Sequence, residues 1–464
     1  MLSKGKLIYN SAVRFYSTQK VNTTFTSSFQ ESKRIVESST LKNGMKVVSL
    51  TGGYSGPAVS LGLYIKSGSR NETQETAGIH QFLKNLVFQS NQDKIHLEVQ
   101  REIESIGSQA YTQASRDSLL ISTQSLPTYS KQMLTSLASI TNPALPFHEV
   151  RDTSSVVQEE TEAYQHDITT QLFEKLHQQA FRGKTLGRPL VAPSDNIDNI
   201  CQQTVTSFVD QIYNPQNFVL VSVGVDHSEL VKEADSLHFG RTSTSNANVK
   251  INSESAKYIG GESLEYATGN THVVLGFEGT SHKNTKDLAA FTVLQQLLGV
   301  SVPKLAIGNG RSSRLFSLVG NNKDLQQAES FNLTYGDSGL FGLYVETESG
   351  DVSKALSLVS SELLAAAKQQ SAEELSRAKA TARTAALGQA DQRSSALEFI
   401  GKQALYQQDK ILTPLEFAEE ISKVTSDDIK RVAKKLLSSK PSLVVVGNIS
   451  NVPTLEEISS NLKL

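Results

Sequence analysis

Apolar residues recur along the chain with two different spacings, which predict helices and strands in turn. Over residues 75–88 they recur at every third or fourth position, so that a helix would carry them on one face. Over 218–224 and 442–447 they form short, valine-rich runs, which are typical of buried strands. Each of these runs follows a predicted helix and ends at a glycine, so the same arrangement of elements occurs twice.

The two strand runs occupy matching places in a longer internal repeat. Their final glycines, Gly224 and Gly447, lie 223 residues apart. The segments 58–65 and 271–277 also resemble each other, and each is followed by a turn and a predicted helix. A repeat of this length indicates a duplicated domain rather than a solenoid. We therefore expect two homologous halves.

Within each half, strands are followed by helices, which favours an α+β fold over a doubly wound sheet. We expect each half to be a mostly antiparallel sheet packed against helices. Residues 41–50 and 58–66 predict a pair of strands, and 128–180 predicts mostly helix, broken at two prolines. A polar segment rich in Ser and Asn separates the halves. The predicted boundaries are 39–237 for the N-terminal half, 238–250 for the linker and 251–464 for the C-terminal half.

The first thirty residues differ in composition from the rest of the chain. They contain no Asp or Glu, and four basic residues alternate with apolar and hydroxyl side chains. This profile is typical of a mitochondrial presequence. Arg14 lies at the position that precedes a matrix cleavage site by three residues, so the predicted presequence is 1–16, with cleavage after Tyr16.

Composition excludes several classes of function for the remainder. With 45 basic and 47 acidic side chains the net charge is −2, so no overall field attracts nucleic acid or anionic lipid. Cys201 is the only cysteine, which rules out an internal disulfide. The apolar runs are too short to cross a bilayer, which needs about 20 residues. The segment 308–313 lacks the third glycine and the lysine of nucleotide-binding loops.

The predicted helix over 75–88 also carries a specific resemblance. Gly68-Ser-Arg70 and the sequence Gly-Ile-His-Gln-Phe-Leu-Lys-Asn-Leu-Val-Phe at 78–88 resemble the active helix of the mitochondrial processing peptidase, or pitrilysin-type (M16), family. Catalytic members carry H-x-x-E-H there. Two His four residues apart bind Zn²⁺ from one helix face, and the Glu is the general base for the bound water.

This chain departs from the motif at all three positions. The alignment places Gln81 and Asn85 at the two ligand positions and Lys84 at the position of the base. Starting the motif at His80 does not restore it. The resemblance places Glu159 at the third ligand, and we expect it to lie on a solvated helix face together with Glu160 and Glu162. The resemblance thus implies a degenerate site, with no catalytic residue, no metal and no cofactor.

Two non-catalytic kinds of subunit in this family fit the sequence. The alpha subunit of the processing peptidase carries a dense glycine run in its second half, whereas 299–316 holds only Gly299, Gly308 and Gly310. This favours core protein 2 of the ubiquinol-cytochrome c reductase (cytochrome bc1) complex, complex III, needed for its assembly in respiratory electron transport. The resemblance then implies core protein 1 and the other subunits of the complex as partners, on the matrix side of the mitochondrial inner membrane. The alternative is the alpha subunit, which binds presequences for a zinc-bearing beta subunit.

Overall fold

The structure is a computed structural model of the chain. It describes residues 34–54, 57–241, 254–300, 313–348, 351–406 and 410–463. The predicted presequence and most of the predicted linker lie outside these residues, so they stay predictions, as do the exact boundaries of the two halves. Among the described residues, no helix has both the length and the apolar composition to cross a membrane.

Six of the described strands form the first sheet. In chain order they are β1 (Ile35–Thr40), β2 (Lys46–Thr51), β3 (Val59–Ile65), β4 (Gln109–Ala114), β5 (Leu119–Ser125) and β6 (Phe218–Val223). Their order in space is β1-β2-β6-β3-β5-β4, and only the β2–β6 pair is parallel. The predicted pairing of 41–50 with 58–66 is wrong, because the fully buried strand β6 lies between β2 and β3.

Five described strands form the second sheet. They are β7 (Gly261–Tyr266), β8 (Thr271–Glu278), β9 (Leu325–Thr334), β10 (Gly339–Thr347) and β11 (Ser442–Gly447). The order is β7-β11-β8-β10-β9, and again only one pair, β7–β11, is parallel. The second sheet therefore repeats the arrangement β2-β6-β3-β5-β4 of the first. The α+β prediction is confirmed.

Helices follow the strands in both halves. Those of the first half are α1 (Ile79–Leu86), α2 (His96–Ser105), α3 (Ser130–Ile140), α4 (Phe147–Tyr164), α5 (Ile168–Phe181), α6 (Ser194–Ile197), α7 (Gln202–Ile212) and α8 (His227–Ser236). Those of the second half are α9 (Thr285–Leu298), α10 (Arg314–Asn321), α11 (Val352–Lys368), α12 (Ala372–Asp391), α13 (Arg393–Tyr406), α14 (Pro414–Lys423), α15 (Ser426–Ser438) and α16 (Leu455–Asn461). Helices α3, α4 and α5 fill the region that the sequence predicts to be helical.

The two halves exchange helices across their sheets. One face of each sheet packs against helices of its own half. The other face of the first sheet receives α13 from the second half, and the other face of the second sheet receives α5 from the first. Leu397 of α13 lies over Gly62 of β3, where a Cβ would come within 2.6 Å, and Leu176 of α5 lies over Gly276 of β8, where a Cβ would come within 2.8 Å. Glycine permits both close approaches.

An ion-pair cluster joins the two halves at their hairpin turns. Arg70 donates to Asp117 in the β4–β5 turn at 2.7 Å and to Asp337 in the β9–β10 turn at 2.8 Å. The second oxygen of Asp117 accepts the backbone N–H of Gly336 at 2.9 Å. The side chains of Arg70 and Asp117 are only 11% and 3% exposed. One buried guanidinium therefore holds a turn from each half.

Candidate functional site

Helix α1 carries the three predicted site positions on the side that faces α4. Its apolar face buries Ile79, Phe82, Leu83 and Leu86 in the core of the first half. Gly78 precedes the helix with a φ of 93°, and a Cβ there would come within 2.3 Å of the side chain of Ala192. Only glycine allows this entry into the helix.

The structure brings all three positions to one carboxylate. Glu160 of α4 accepts a hydrogen bond from Gln81 Nε2 at 2.8 Å, one from Lys84 Nζ at 2.8 Å and one from Asn85 Nδ2 at 3.4 Å. Burial alone would raise the pKa of Glu160, but these hydrogen bonds and the charge of Lys84 outweigh it and lower the pKa. The carboxylate is therefore held in its ionised form.

The shared partner of these three side chains is Glu160 of α4. We expected Glu159 and Glu160 to lie together on a solvated helix face, and this expectation is wrong for Glu160. Glu159 is exposed, whereas Glu160 is half-buried against α1. One residue along a helix turns the side chain by about 100°, so a shift of one position decides which carboxylate faces the cluster. A residue count cannot resolve that difference, but the face of α4 that buries Val157 and Thr161 points to position 160.

Gln81 also ties the helix to the following segment of the chain. Its side-chain oxygen accepts the backbone N–H of Ala192 at 2.8 Å, while its nitrogen donates to Glu160. The side chain is 6% exposed. Both ends of the side-chain amide therefore hold α1 in place through hydrogen bonds. This is a structural role, which differs from the binding of a metal ion by an imidazole.

His80 belongs to a separate buried network at the start of α1. Its Nδ1 lies 2.8 Å from Glu72 Oε1 and its Nε2 lies 2.9 Å from Ser67 Oγ. Glu72 also accepts the backbone N–H groups of Gly78 and His80, at 2.8 and 3.1 Å. All of these side chains are almost fully buried. The network satisfies the first N–H groups of the helix and holds its N-terminus in place.

The donor set of the cluster does not fit a zinc ion. Gln81 and Asn85 offer neutral amides, and the ammonium of Lys84 donates to one oxygen of Glu160, the carboxylate that these three side chains share. Within the part of the chain that the structure describes, no three His, Cys, Asp or Glu side chains are grouped so that they could hold a metal ion. Residues 308–312, and with them most of the glycine-poor region 299–316, lie outside the described residues.

Comparisons with known proteins cover most of the chain. Residues 48–194 match the family model described as insulinase (peptidase family M16), and residues 199–382 match the peptidase M16 inactive domain. The chain is 60% identical over 439 residues to the mitochondrial-processing peptidase subunit alpha-2 of Dictyostelium discoideum, which covers 95% of this chain and 98% of that protein. It is 31% identical to the mitochondrial-processing peptidase subunit alpha of Solanum tuberosum, over 91% of this chain and 84% of that protein.

A solved structure shows the same fold. A chain of complex III2 from Candida albicans with Inz-5 bound superposes with a TM-score of 0.79, over 92% of this chain and 99% of that one, at 19% identity. So low an identity supports the fold alone. The expectation of a complex III core subunit is wrong, because the 60% identity lies with a processing-peptidase alpha subunit. The low glycine count over 299–316 favoured the core subunit, but it does not distinguish that subunit from the alpha subunit of the peptidase.

Proposed function

The chain belongs to the peptidase M16 family, and we propose that it is the non-catalytic alpha subunit of a mitochondrial processing peptidase, which binds presequences for a zinc-bearing beta subunit. The observation that carries the proposal is the 60% identity, over nearly the full length of both chains, to a protein named as such an alpha subunit. A match of that extent covers both halves rather than a shared domain.

The geometry of the α1–α4 cluster supports the non-catalytic part of the proposal. Metal-assisted hydrolysis needs a bound metal and a base that takes a proton from water. Here Lys84 donates to one oxygen of Glu160, and Gln81 and Asn85 both donate to the other. The carboxylate thus accepts hydrogen bonds from all three motif positions, and none of these positions supplies an imidazole.

The names of the relatives support the proposed partner and location. Both alpha-type relatives are named as subunits and as mitochondrial. The acid-free residues 1–30 are consistent with import into mitochondria. We accordingly propose a mitochondrial protein that pairs with the beta subunit of the peptidase, with cleavage of its own presequence after Tyr16.

Reconstitution tests this proposal directly. The mature chain, a zinc-bearing beta subunit and their mixture are each assayed for cleavage of a synthetic presequence peptide, and zinc is measured by elemental analysis. We expect the mixture to cleave at least about tenfold faster than either chain alone, as for a subunit that positions substrate. We expect elemental analysis to find zinc in the beta subunit and in the mixture, and not in this chain alone. Cleavage or stoichiometric zinc in this chain alone, or a mixture no faster than the beta subunit, would overturn the proposal.

A variant designed to bind zinc tests the interpretation that Gln81, Lys84 and Asn85 occupy the positions of a degenerate zinc site facing Glu160. The triple change Q81H/K84E/N85H supplies two imidazoles at helical spacing and removes the ammonium from Glu160, so we expect about one zinc per chain by elemental analysis. Adding Glu160→Gln to the triple variant is the matched control and should weaken zinc binding by about 10–100-fold. Equal zinc affinity in the two variants would show that Glu160 is not the ligand-facing carboxylate. Circular dichroism spectra confirm that each variant is folded.

A further inference from the structure

Strand β7 leaves one edge of the second sheet open in the described part of the chain. It pairs with β11 alone, in parallel. The N–H of Ala267, just after the strand, donates to the carbonyl of Gly447 at 3.1 Å. Backbone groups of alternate residues in a strand point to opposite edges. The N–H and C=O groups of Glu262, Leu264 and Tyr266 therefore point away from the sheet.

The first half shows what the matching edge holds. Strand β2 corresponds to β7, since each lies at the same place in its sheet and pairs in parallel with the strand that ends the repeat. The edge of β2 is covered by β1, which runs antiparallel and pairs with Val47, Ser49 and Thr51. These three positions match 262, 264 and 266. The second sheet has the place for a sixth strand but does not supply that strand from its described residues.

The side chains along the open edge indicate the chemistry of such a strand. Leu264 and Tyr266 are 44% and 70% exposed, and they lie on the same face of β7 as Glu262. On the opposite face Glu265 forms an ion pair with Lys175 of α5. Glu262 is exposed and makes no ion pair with any residue that the structure describes. The edge thus presents two apolar side chains and one uncompensated carboxylate.

We propose that the outer edge of β7 is a docking site for an extended segment of a partner chain, which adds to the sheet as an antiparallel sixth strand. The segment carries a lysine or arginine opposite Glu262 and apolar side chains opposite Leu264 and Tyr266. Its backbone groups pair with those of the three outward-facing residues, so that main-chain hydrogen bonds supply affinity and the side chains supply selectivity. The proposal stands independently of the assignment as an alpha subunit.

A second copy of this chain fits the edge less well than a basic segment does. Two copies paired antiparallel through β7 and centred on Leu264 would place each Glu262 opposite Tyr266 of the other copy, so neither carboxylate would gain a cation. Opposite charges in directly facing positions of two strands contribute favourably. Charge complementarity therefore selects a basic partner over self-association.

Fluorescence anisotropy with the full chain tests the proposal. The probe is the fluorescein-labelled peptide Thr-Val-Thr-Val-Thr-Lys-Thr, in which the two Val and the Lys share one face. We expect saturable binding, weakened at least about tenfold by Glu262→Lys and restored for that variant by a peptide with Glu in place of Lys. Hydrogen exchange at the amides of Leu264 and Tyr266 should be fast in the free chain and slow with the peptide bound.

Backbone variants separate strand addition from simple charge attraction. Leu264→Pro removes an outward N–H but no bond to β11, and it should weaken binding more than Leu264→Thr, which keeps the N–H. If the proline variant fails to fold, a peptide N-methylated on its pairing edge provides the same test with the unaltered chain. Absence of binding, equal binding of the N-methylated peptide, or a dimer in sedimentation that Leu264→Pro abolishes would overturn the proposal.

Discussion

The matching edges of the two sheets are covered differently. In the first half, β1 lies along β2, and His227 of α8 hydrogen-bonds with Ser39 of β1 at 2.7 Å and with Ser49 of β2 at 2.8 Å. In the second half, the described residues place neither a strand nor a helix along the outer edge of β7. All five of its side chains are wholly or partly exposed. The two halves thus share one five-stranded arrangement and differ in what lies along its outer edge.

The faces of the two sheets, in contrast, are covered in the same way. Each receives a helix from the other half, with a leucine placed over a glycine. Because each sheet is covered by a helix from the other half, separating the two halves would expose an apolar face of each sheet. We therefore expect the largest effects of mutation at the shared faces and junction, and the smallest at the open edge.

The junction at Arg70 gives the largest expected effect. Arg70→Leu leaves the carboxylate of Asp117, which is 3% exposed, without its cation. Breaking a buried pair from one side costs about 3–5 kcal/mol, and urea denaturation should show a loss of that size in the free energy of unfolding. Lys354→Leu removes an ion pair at the surface and is the control, which we expect to leave the free energy of unfolding unchanged. A small effect at Arg70 would mean that the halves do not depend on this junction.

The exchanged helices give the next largest effect. Leu176→Ala in α5 and Leu397→Ala in α13 each remove a fully buried side chain that packs on the sheet of the opposite half. Each should lower the free energy of unfolding by about 2–5 kcal/mol, so both losses should fall in that range if the exchange is symmetric. Urea denaturation of both variants measures this. A large loss at one leucine with none at the other would break the comparison between the faces.

Local patterns in the sequence predicted the elements that bury one face or form apolar runs. Helix α1 and strands β6 and β11 are of this kind, as is the repeat that relates the halves. Strand β1 was missed, because its sequence Ile-Val-Glu-Ser-Ser-Thr has no apolar alternation and its place depends on β2. The insertion of β6 between β2 and β3 was missed for a related reason, since it joins segments far apart in the chain.

The candidate site was predictable in kind but not in detail. The positions of Gln81, Lys84 and Asn85 on one helix face follow from their spacing. Their common partner, Glu160, depends on how α4 is rotated against α1, and a rotation of one residue separates it from Glu159. The exchange of α5 and α13 could not be foreseen, because it depends on contacts between the halves that no local pattern encodes.

An acid titration should show a contribution from the loop between β8 and α9 in the second half. Burial, followed by the charge of Lys402, lowers the pKa of His282 in that loop from 6.5 to about 4. The unfolded chain binds this proton more readily, so stability is lost as the pH falls from about 6.5 to about 4. The loss is at most about 3 kcal/mol.

His282→Gln should remove that part of the acid sensitivity. The free energy of unfolding, measured by urea denaturation at pH 7 and at pH 4.5, should fall less between these two values in the variant than in the parent chain. The control is Ser281→Ala with the same two measurements, because it changes the same loop without changing a titrating group. An unchanged dependence on pH in His282→Gln would assign the acid sensitivity to other groups.

The smallest expected effect lies at the open edge of β7. Leu264→Ala removes a side chain that is 44% exposed, so the free energy of unfolding of the isolated chain should change by no more than about 0.5 kcal/mol. Leu50→Ala in β2, where the side chain is fully buried, should cost about 2–5 kcal/mol. Urea denaturation of both variants compares β2, which β1 covers at its edge and α13 covers on the face of Leu50, with the open strand β7. A loss at Leu264 as large as that at Leu50 would mean that the edge of β7 is already covered within the isolated chain, and the contrast between the two edges would fail.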